Sequence, residues 1–214
     1  MNRRNAETYK MLTRVTDFAT NNVALFAKSS ASVEVQTSLK TVMGELAILS
    51  SARIAAESTL RAARNERDVA RDAMKAMLAK ADRTARALHS HKFRSPTRPT
   101  DHALIDGGRA FAAEIEPLKE AFIAYGFTPE NVTAAVKPLE VAVLAYASAR
   151  AKRSAAIREY KQKMDVAMEC LRRFEVLVAN TLADNSAAMT EWSMARTVSR
   201  FTPRKRAAAE PEAA

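Results

Sequence analysis

Apolar residues recur along this chain at alternating three- and four-residue steps. Leu60, Ala63, Ala70, Met74, Met77, Ala81 and Leu88 form one such stripe, broken only by Arg67 and Thr84. Ile157, Tyr160, Met164, Ala167, Leu171, Phe174, Val178 and Thr181 form another. This spacing places side chains on one face of an α-helix. Members of the second stripe fall 97 residues after their counterparts, as with Leu60 and Ile157 or Thr84 and Thr181, and the offset needs no gap. The same shift pairs Ser51-Ala52-Arg53 with Ser148-Ala149-Arg150, Asp68-Val69-Ala70 with Asp165-Val166-Ala167, and Ala24-Leu25-Phe26-Ala27 with Ala121-Phe122-Ile123-Ala124. Identity along this register is low, so the shared spacing is the warrant for reading a helical hairpin written twice.

Each copy reads as a shorter helix, a turn and a long helix. In the second copy Thr100 or Asp101 caps a helix with the stripe Leu104, Phe111, Ile115, Leu118, Phe122 and Tyr125. It stops at Gly126, after which Thr128-Pro129-Glu130 supplies a cap, a proline at the first helical position and an acidic first turn. The first copy uses Met11, Val15, Phe18, Leu25 and Phe26, followed by Lys28-Ser29-Ser30-Ala31-Ser32, where a serine caps the long helix. Residues 91–100 carry Pro96 and Pro99 and form a surface connector. Asp184-Asn185-Ser186 breaks the second long helix and caps a short last helix through Trp192 to about Val198. Residues 199–214 read as a disordered basic tail.

The expected architecture is therefore all-α: an elongated antiparallel helical bundle of four main helices, two short and two long, plus a short C-terminal helix, built from two tandem hairpins over residues 1–90 and 101–198. Each long helix spans roughly 80–90 Å at 1.5 Å per residue, more than twice its short partner. An up-down path makes the two long helices parallel, so that their distal stripes pack as in a coiled coil or serve a homodimer.

Composition agrees with helix throughout: the 214 residues include only 4 Gly and 7 Pro, and 48% are hydrophobic. Cys170 is the single cysteine, so no intramolecular disulfide forms and a reducing cytoplasm is expected. No apolar signal core opens the chain. The greasiest stretch, Leu139 to Ala147, is far short of the roughly 20 residues that span a bilayer, so membrane insertion is not expected.

The formal net charge of +10 keeps acidic partners, anionic surfaces and nucleic acid in play. Arg61, Arg64, Arg67, Arg71 and Lys75, with Arg204, Lys205 and Arg206 of the tail, are candidate phosphate contacts for nonspecific nucleic-acid binding. Against that, only 6% of residues are aromatic, none interleaves these charges, and acids such as Glu66, Asp68 and Asp72 dilute the run, as on a solvated helix face.

Catalytic chemistry has little to work with. His89 and His91 crowd near His102, Asp101 and Asp106, but a two-residue step sends them to different sides of a helix, and no metal site is expected. No glutamate has a histidine three residues later, which removes the di-iron bundle pattern, and no phosphate loop or nucleophile elbow occurs. Gly107-Gly108 suits close helix approach better than phosphate. Cys170 has no histidine near it in sequence and reads as a small apolar residue. Arg53 and Arg150 are the same position of the two copies and fall beside the apolar stripe, where a charge is costly unless paired. Either they face each other across the bundle, binding an anion or fixing register through Glu114 or Glu116, or the stripe sidesteps through Leu49, Ala52 and Ala56 and both arginines reach outward.

The opening Asn2-Arg3-Arg4-Asn5-Ala6-Glu7-Thr8-Tyr9 with Val15-Thr16-Asp17-Phe18, the segments Arg83-Thr84-Ala85-Arg86-Ala87, Lys92-Phe93-Arg94-Ser95-Pro96, Ala110-Phe111-Ala112-Ala113 and Pro117-Leu118-Lys119, and the ending Asn180 to Arg196 around Trp192 resemble a family of bacterial all-helical proteins with no established activity. The resemblance spans nearly the whole chain. It implies a bacterial cytoplasmic helical protein and brings no ligand, cofactor or site residue with it.

These features favour a non-enzymatic, cofactor-free bundle that associates with itself, as in a homodimer, or with another helical protein. Nonspecific nucleic-acid binding is the second reading, and an amphipathic coat on a hydrophobic surface or granule is the third.

Overall fold

The computed structural model describes residues 3–26, 30–88 and 99–198. Every regular element among them is helical: α1 (Arg3–Asn21), α2 (Val23–Phe26), α3 (Ser30–Ala87), α4 (Asp101–Ile115), a 3-10 turn (Glu116–Leu118), α5 (Lys119–Ala124), α6 (Glu130–Leu182) and α7 (Ser186–Arg196). The chain is all-α. The tail, and all of the connector except Pro99 and Thr100, lie outside the described residues.

Several boundaries fall where local chemistry puts them. The Thr100 hydroxyl accepts from the Ala103 N–H at 3.2 Å and caps α4, and the Asn185 side chain accepts from the Ala188 N–H at 3.1 Å and caps α7. α5 ends on Gly126, whose φ of +72° only glycine adopts cheaply. The Phe127 N–H donates to the Phe122 carbonyl at 3.0 Å and the Gly126 N–H to the Ile123 carbonyl at 2.8 Å, closing the helix end and turning Phe127 inward.

The short helices differ from the continuous rods expected of them. Asn22 donates to the Phe18 carbonyl from both its backbone N–H, at 3.1 Å, and its side-chain amide, at 3.0 Å, and α1 stops at Asn21. Pro117 has no N–H to donate, so the second short helix passes through a 3-10 turn between α4 and α5. Each break rotates the next turn of helix about its axis. Leu25, Leu118 and Tyr125, expected in the core, are exposed, whereas Phe26, Phe122 and Phe127 are buried.

The described residues divide into two compact units that do not coincide with the hairpins. One comprises the chain up to Ile48 together with the chain from Lys161, and the other comprises Leu49–Tyr160. α3 and α6 each contribute one segment to both.

In the Leu49–Tyr160 unit, the distal half of α3 (Met74, Leu78, Ala81, Ala85) and the proximal half of α6 (Val132, Val136, Leu139) pack against Leu104, Ile105, Phe111, Ile115, Phe122 and Phe127. Phe111, Phe122 and Phe127 meet edge to face with centroids 5.7–6.3 Å apart. Gly108 is buried at the centre. A Cβ there would sit 2.3 Å from Met74 Cε and 2.7 Å from Val136 Cγ2, so the glycine allows α4 to approach both long helices. That is the close-approach role expected of the Gly107-Gly108 pair.

The long helices run antiparallel, not parallel as an up-down path requires. As the α3 position falls from Arg67 to Glu57 to Arg53, its α6 partner rises from Tyr146 to Arg153 to Tyr160. The reason lies in where α4 begins. Asp101 sits beside Arg67 and Arg71, and Gly108 beside Met74, so α4 starts well back from the end of α3 and runs parallel to it. α6 then reverses against both, with Arg109 paired to Glu140 and Lys119 to Glu130.

In the other unit, Phe18 and Phe26 meet Phe174 of α6 and Trp192 of α7, with ring centroids 5.3–6.5 Å apart. Lys163 of α6 pairs with Glu45 of α3 at 2.6 Å. α7 packs on α1, and Arg14 donates to the Ala195 and Thr197 carbonyls at the C-terminal end of α7, where the helix dipole favours a cation.

Most of the stripes lie where their spacing put them. All described members of the first are buried or half-buried, and the second is buried from Tyr160 to Val178. Its ends drift: Ile157 and Thr181 are exposed and Leu182 is buried.

Candidate docking groove

In the Leu49–Tyr160 unit, α4 and α5 cover one side of the α3–α6 pair. The other side forms an open groove of about 1150 Å³. Its α3 wall is Glu66, Val69, Ala70 and Ala73, and its α6 wall runs from Glu130 to Ala145 through Ala134, Lys137, Pro138, Val141 and Ala142. Alanines keep the floor low, so the larger side chains stand out. Val69 is 70% exposed and Val141 61%, and Leu144, next along α6, is 71% exposed. Exposed apolar side chains along a trough make it a candidate interaction face.

Pro138 lies inside α6 on this wall and cannot donate to the Ala134 carbonyl, which leaves an acceptor without its usual helical partner in an otherwise apolar floor. Charges sit around the apolar strip. Glu130 pairs with Lys119, whose hydrogen bond holds the Glu130 carboxyl below the usual carboxylate range and raises the Lys119 ammonium in turn. Glu66 and Lys137 make no ion pair among the described residues.

α6 is also the one helix among the described residues long and apolar enough to cross a membrane by length and composition, and only 28% of its apolar 18-residue window is buried. The sequence expectation, confined to Leu139–Ala147, underestimated this stretch because alanines and valines extend it. Buried core helices pass the same test, so the informative feature is the exposure.

The sequence-derived site residues distribute differently. Arg53 is half-buried with its guanidinium 5.0 Å above the Tyr160 ring, while Arg150 is exposed. Antiparallel pairing sets Arg150 ten residues from Tyr160 along α6, about 15 Å at 1.5 Å per residue, so the two arginines do not face each other. Glu114 and Glu116 are exposed and bridge neither.

Of the basic run, Arg61 is exposed, Arg64 reaches Asp68 at 3.7 Å and Lys75 reaches Asp72 at 3.0 Å. Arg67 lies 4.3 Å above the Tyr146 ring and donates to Asp68 at 2.7 Å. That bond raises the Arg67 guanidinium and lowers the Asp68 carboxyl from their ordinary values. Arg71 donates to the Pro99 carbonyl at 2.5 Å and faces Asp101 at 3.5 Å. Arg67 and Arg71 thus anchor the start of α4. Arg204, Lys205 and Arg206 lie outside the described residues.

His102 and Asp106 are exposed, while His89 and His91 lie outside the described residues. Among the described residues no group of three or more His, Cys, Asp or Glu side chains is placed to hold a metal. Cys170 is half-buried, and burial pushes its thiol above the ordinary value.

Sequence reasoning missed Val69, Val141, Leu144 and Pro138. A signal existed: Val141 and Leu144 are apolar yet fall out of step with the buried Leu139 and Ala142 and the half-buried Val143, so α6 is apolar on two faces where one suffices for the core.

No protein-family model matches the chain, and no curated protein or solved structure matches it significantly.

Proposed function

We propose that this chain is a non-enzymatic helical protein that works by helix–helix association with itself or a protein partner, and that the α3–α6 groove is where the incoming helix docks. The carrying observation is the groove: an apolar trough between two helices, open on the side away from the core, with Val69 and Val141 standing out of an alanine floor. Small residues let a third helix approach closely, and projecting side chains fill the spaces between its own.

The tandem-hairpin reading belongs to the same proposal. Residues 97 apart, such as Met74 and Leu171, Ala81 and Val178, Leu39 and Val136, or Phe18 and Ile115, are buried at both positions, which supports a duplicated helical pair. Nucleic-acid binding draws less support, because Arg64, Arg67, Arg71 and Lys75 are each within ion-pair distance of a carboxylate.

The test is titration of a labelled, neutral amphipathic helical peptide with an alanine-leucine stripe into the full chain. Saturable binding is expected, and Val69→Glu with Val141→Glu abolishes it at unchanged helicity, because each buries an unpaired carboxylate on docking. Equal binding by the variant, or no binding by a wild-type chain that is itself monomeric, refutes the reading.

A further inference from the structure

We infer that the occupant of the groove is a second copy of this chain, docked through α6 about a two-fold axis at Val141. The inference rests on the docking reading above and names the partner.

The first observation is that α6 carries the face such a groove accepts. Ala134, Lys137, Val141, Leu144, Ser148 and Lys152 are exposed at three- and four-residue steps, a stripe of small and apolar residues with a cation towards each end. The groove wall and the docking face are therefore the same helix, which is the condition for a closed, self-complementary pair. Two copies would bring together α3 and α6 from each, burying Val69, Val141 and Leu144.

The second observation is charge complementarity. In an antiparallel α6 pair centred on Val141, the partner's Lys137 lies level with Ala145, and the partner's Lys152 level with Glu130. Arg67 of α3 stacks on Tyr146 and the two helices are antiparallel, so Ala145 is level with Asp68, and Glu66, two residues or about 3 Å further along α3, lines the same groove within reach of a lysine at that level. Each copy thus offers Glu66 to the partner's Lys137, and the partner's Lys152 joins Glu130 alongside the Lys119 that already pairs with it. Among the described residues Glu66, Lys137 and Lys152 have no ion pair within their own chain. One register satisfies all three, and a one-turn slip would lose both contacts.

The test is light scattering and sedimentation of the full chain over a range of concentrations, with variants at exposed positions that leave the core intact. Wild type is expected at twice the 23.5 kDa of one chain. Val141→Glu should raise the dissociation constant on the order of a hundredfold, since two carboxylates would meet on the axis. Lys137→Glu and Glu66→Lys should each weaken the dimer on the order of tenfold, and the two together should restore it. In a Cys170→Ser background, Val141→Cys should oxidise to a covalent dimer.

A wild-type chain that stays monomeric while the helical peptide still fills the groove overturns the second copy as occupant and leaves docking standing. A dimer indifferent to Val141→Glu and to both charge reversals overturns the inference and moves self-association to another surface.

Discussion

Replacing Gly108 with alanine adds one methyl group where α4 crosses both long helices. The new Cβ would lie 2.3 Å from Met74 Cε and 2.7 Å from Val136 Cγ2, against the ~3.5 Å of an ordinary carbon contact. Met74 is fully buried, so its methyl group has no solvent to swing into. Val136 is β-branched and held to one rotamer in a helix. Overpacking costs about 1–3 kcal/mol, and two contacts below 3 Å put this site in the upper part of that range, about 2–3 kcal/mol; the gain in helix propensity from glycine to alanine returns about 1 kcal/mol, leaving a net loss of roughly 1–2 kcal/mol. Thermal unfolding followed by far-UV circular dichroism should show a midpoint lowered by roughly 2–8 °C.

Gly44→Ala is the matched control. It lies mid-helix in α3 with nothing within 4 Å of the added Cβ, so only the propensity gain remains and the chain should be stabilised by about 0.5–1 kcal/mol. In a Val136→Ala background, where the closest stiff neighbour is trimmed, Gly108→Ala should cost roughly 1 kcal/mol less than in wild type. A Gly108→Ala chain as stable as wild type, with Gly44→Ala behaving as expected, would refute the reasoning that this glycine is required for helix approach.

Trp192, the single tryptophan, packs against Phe18 and Phe174, and Trp192→Ala should cost about 3–5 kcal/mol, seen as a lower urea midpoint, with Trp192→Phe costing clearly less. The Glu57 carboxyl accepts from Arg153, and that hydrogen bond holds its pKa below a free glutamate's 4.5. A depressed pKa means that the pair's contribution is present above 4.5 and lost as pH falls through the lower folded value. Glu57→Gln should therefore flatten the stability–pH curve on the acid side and leave it unchanged in shape near neutrality. Because burial raises the Cys170 thiol, Ellman's reagent should label the native chain more slowly than the urea-unfolded chain at about pH 8, and equal rates would contradict the half-buried placement.

The helical class, the two long helices, the caps at Thr100 and Asn185, the stop at Gly126 and most of each buried stripe were legible in the residues, because each depends on chemistry within a few positions along the chain. Spacing at three and four residues states which face of a helix is apolar, and a side-chain cap or a left-handed glycine states where it ends. The breaks at Asn22 and Pro117 were local too, but one apolar stripe drawn through each concealed them.

Direction and partnership were decided only by tertiary packing. Periodicity says nothing about whether two apolar faces meet parallel or antiparallel, so the up-down path suggested parallel long helices. The placement of Asp101 beside Arg67 and Arg71 instead sets α4 parallel to α3 and makes α6 antiparallel to both. The groove arises from the same packing. Val69, Val141 and Leu144 look like core residues by type, and they become a surface because α4 and α5 cover one side of the α3–α6 pair and leave the other open. A pattern of apolar residues fixes how many faces can be buried, and only the three-dimensional arrangement determines which of them the chain buries against itself.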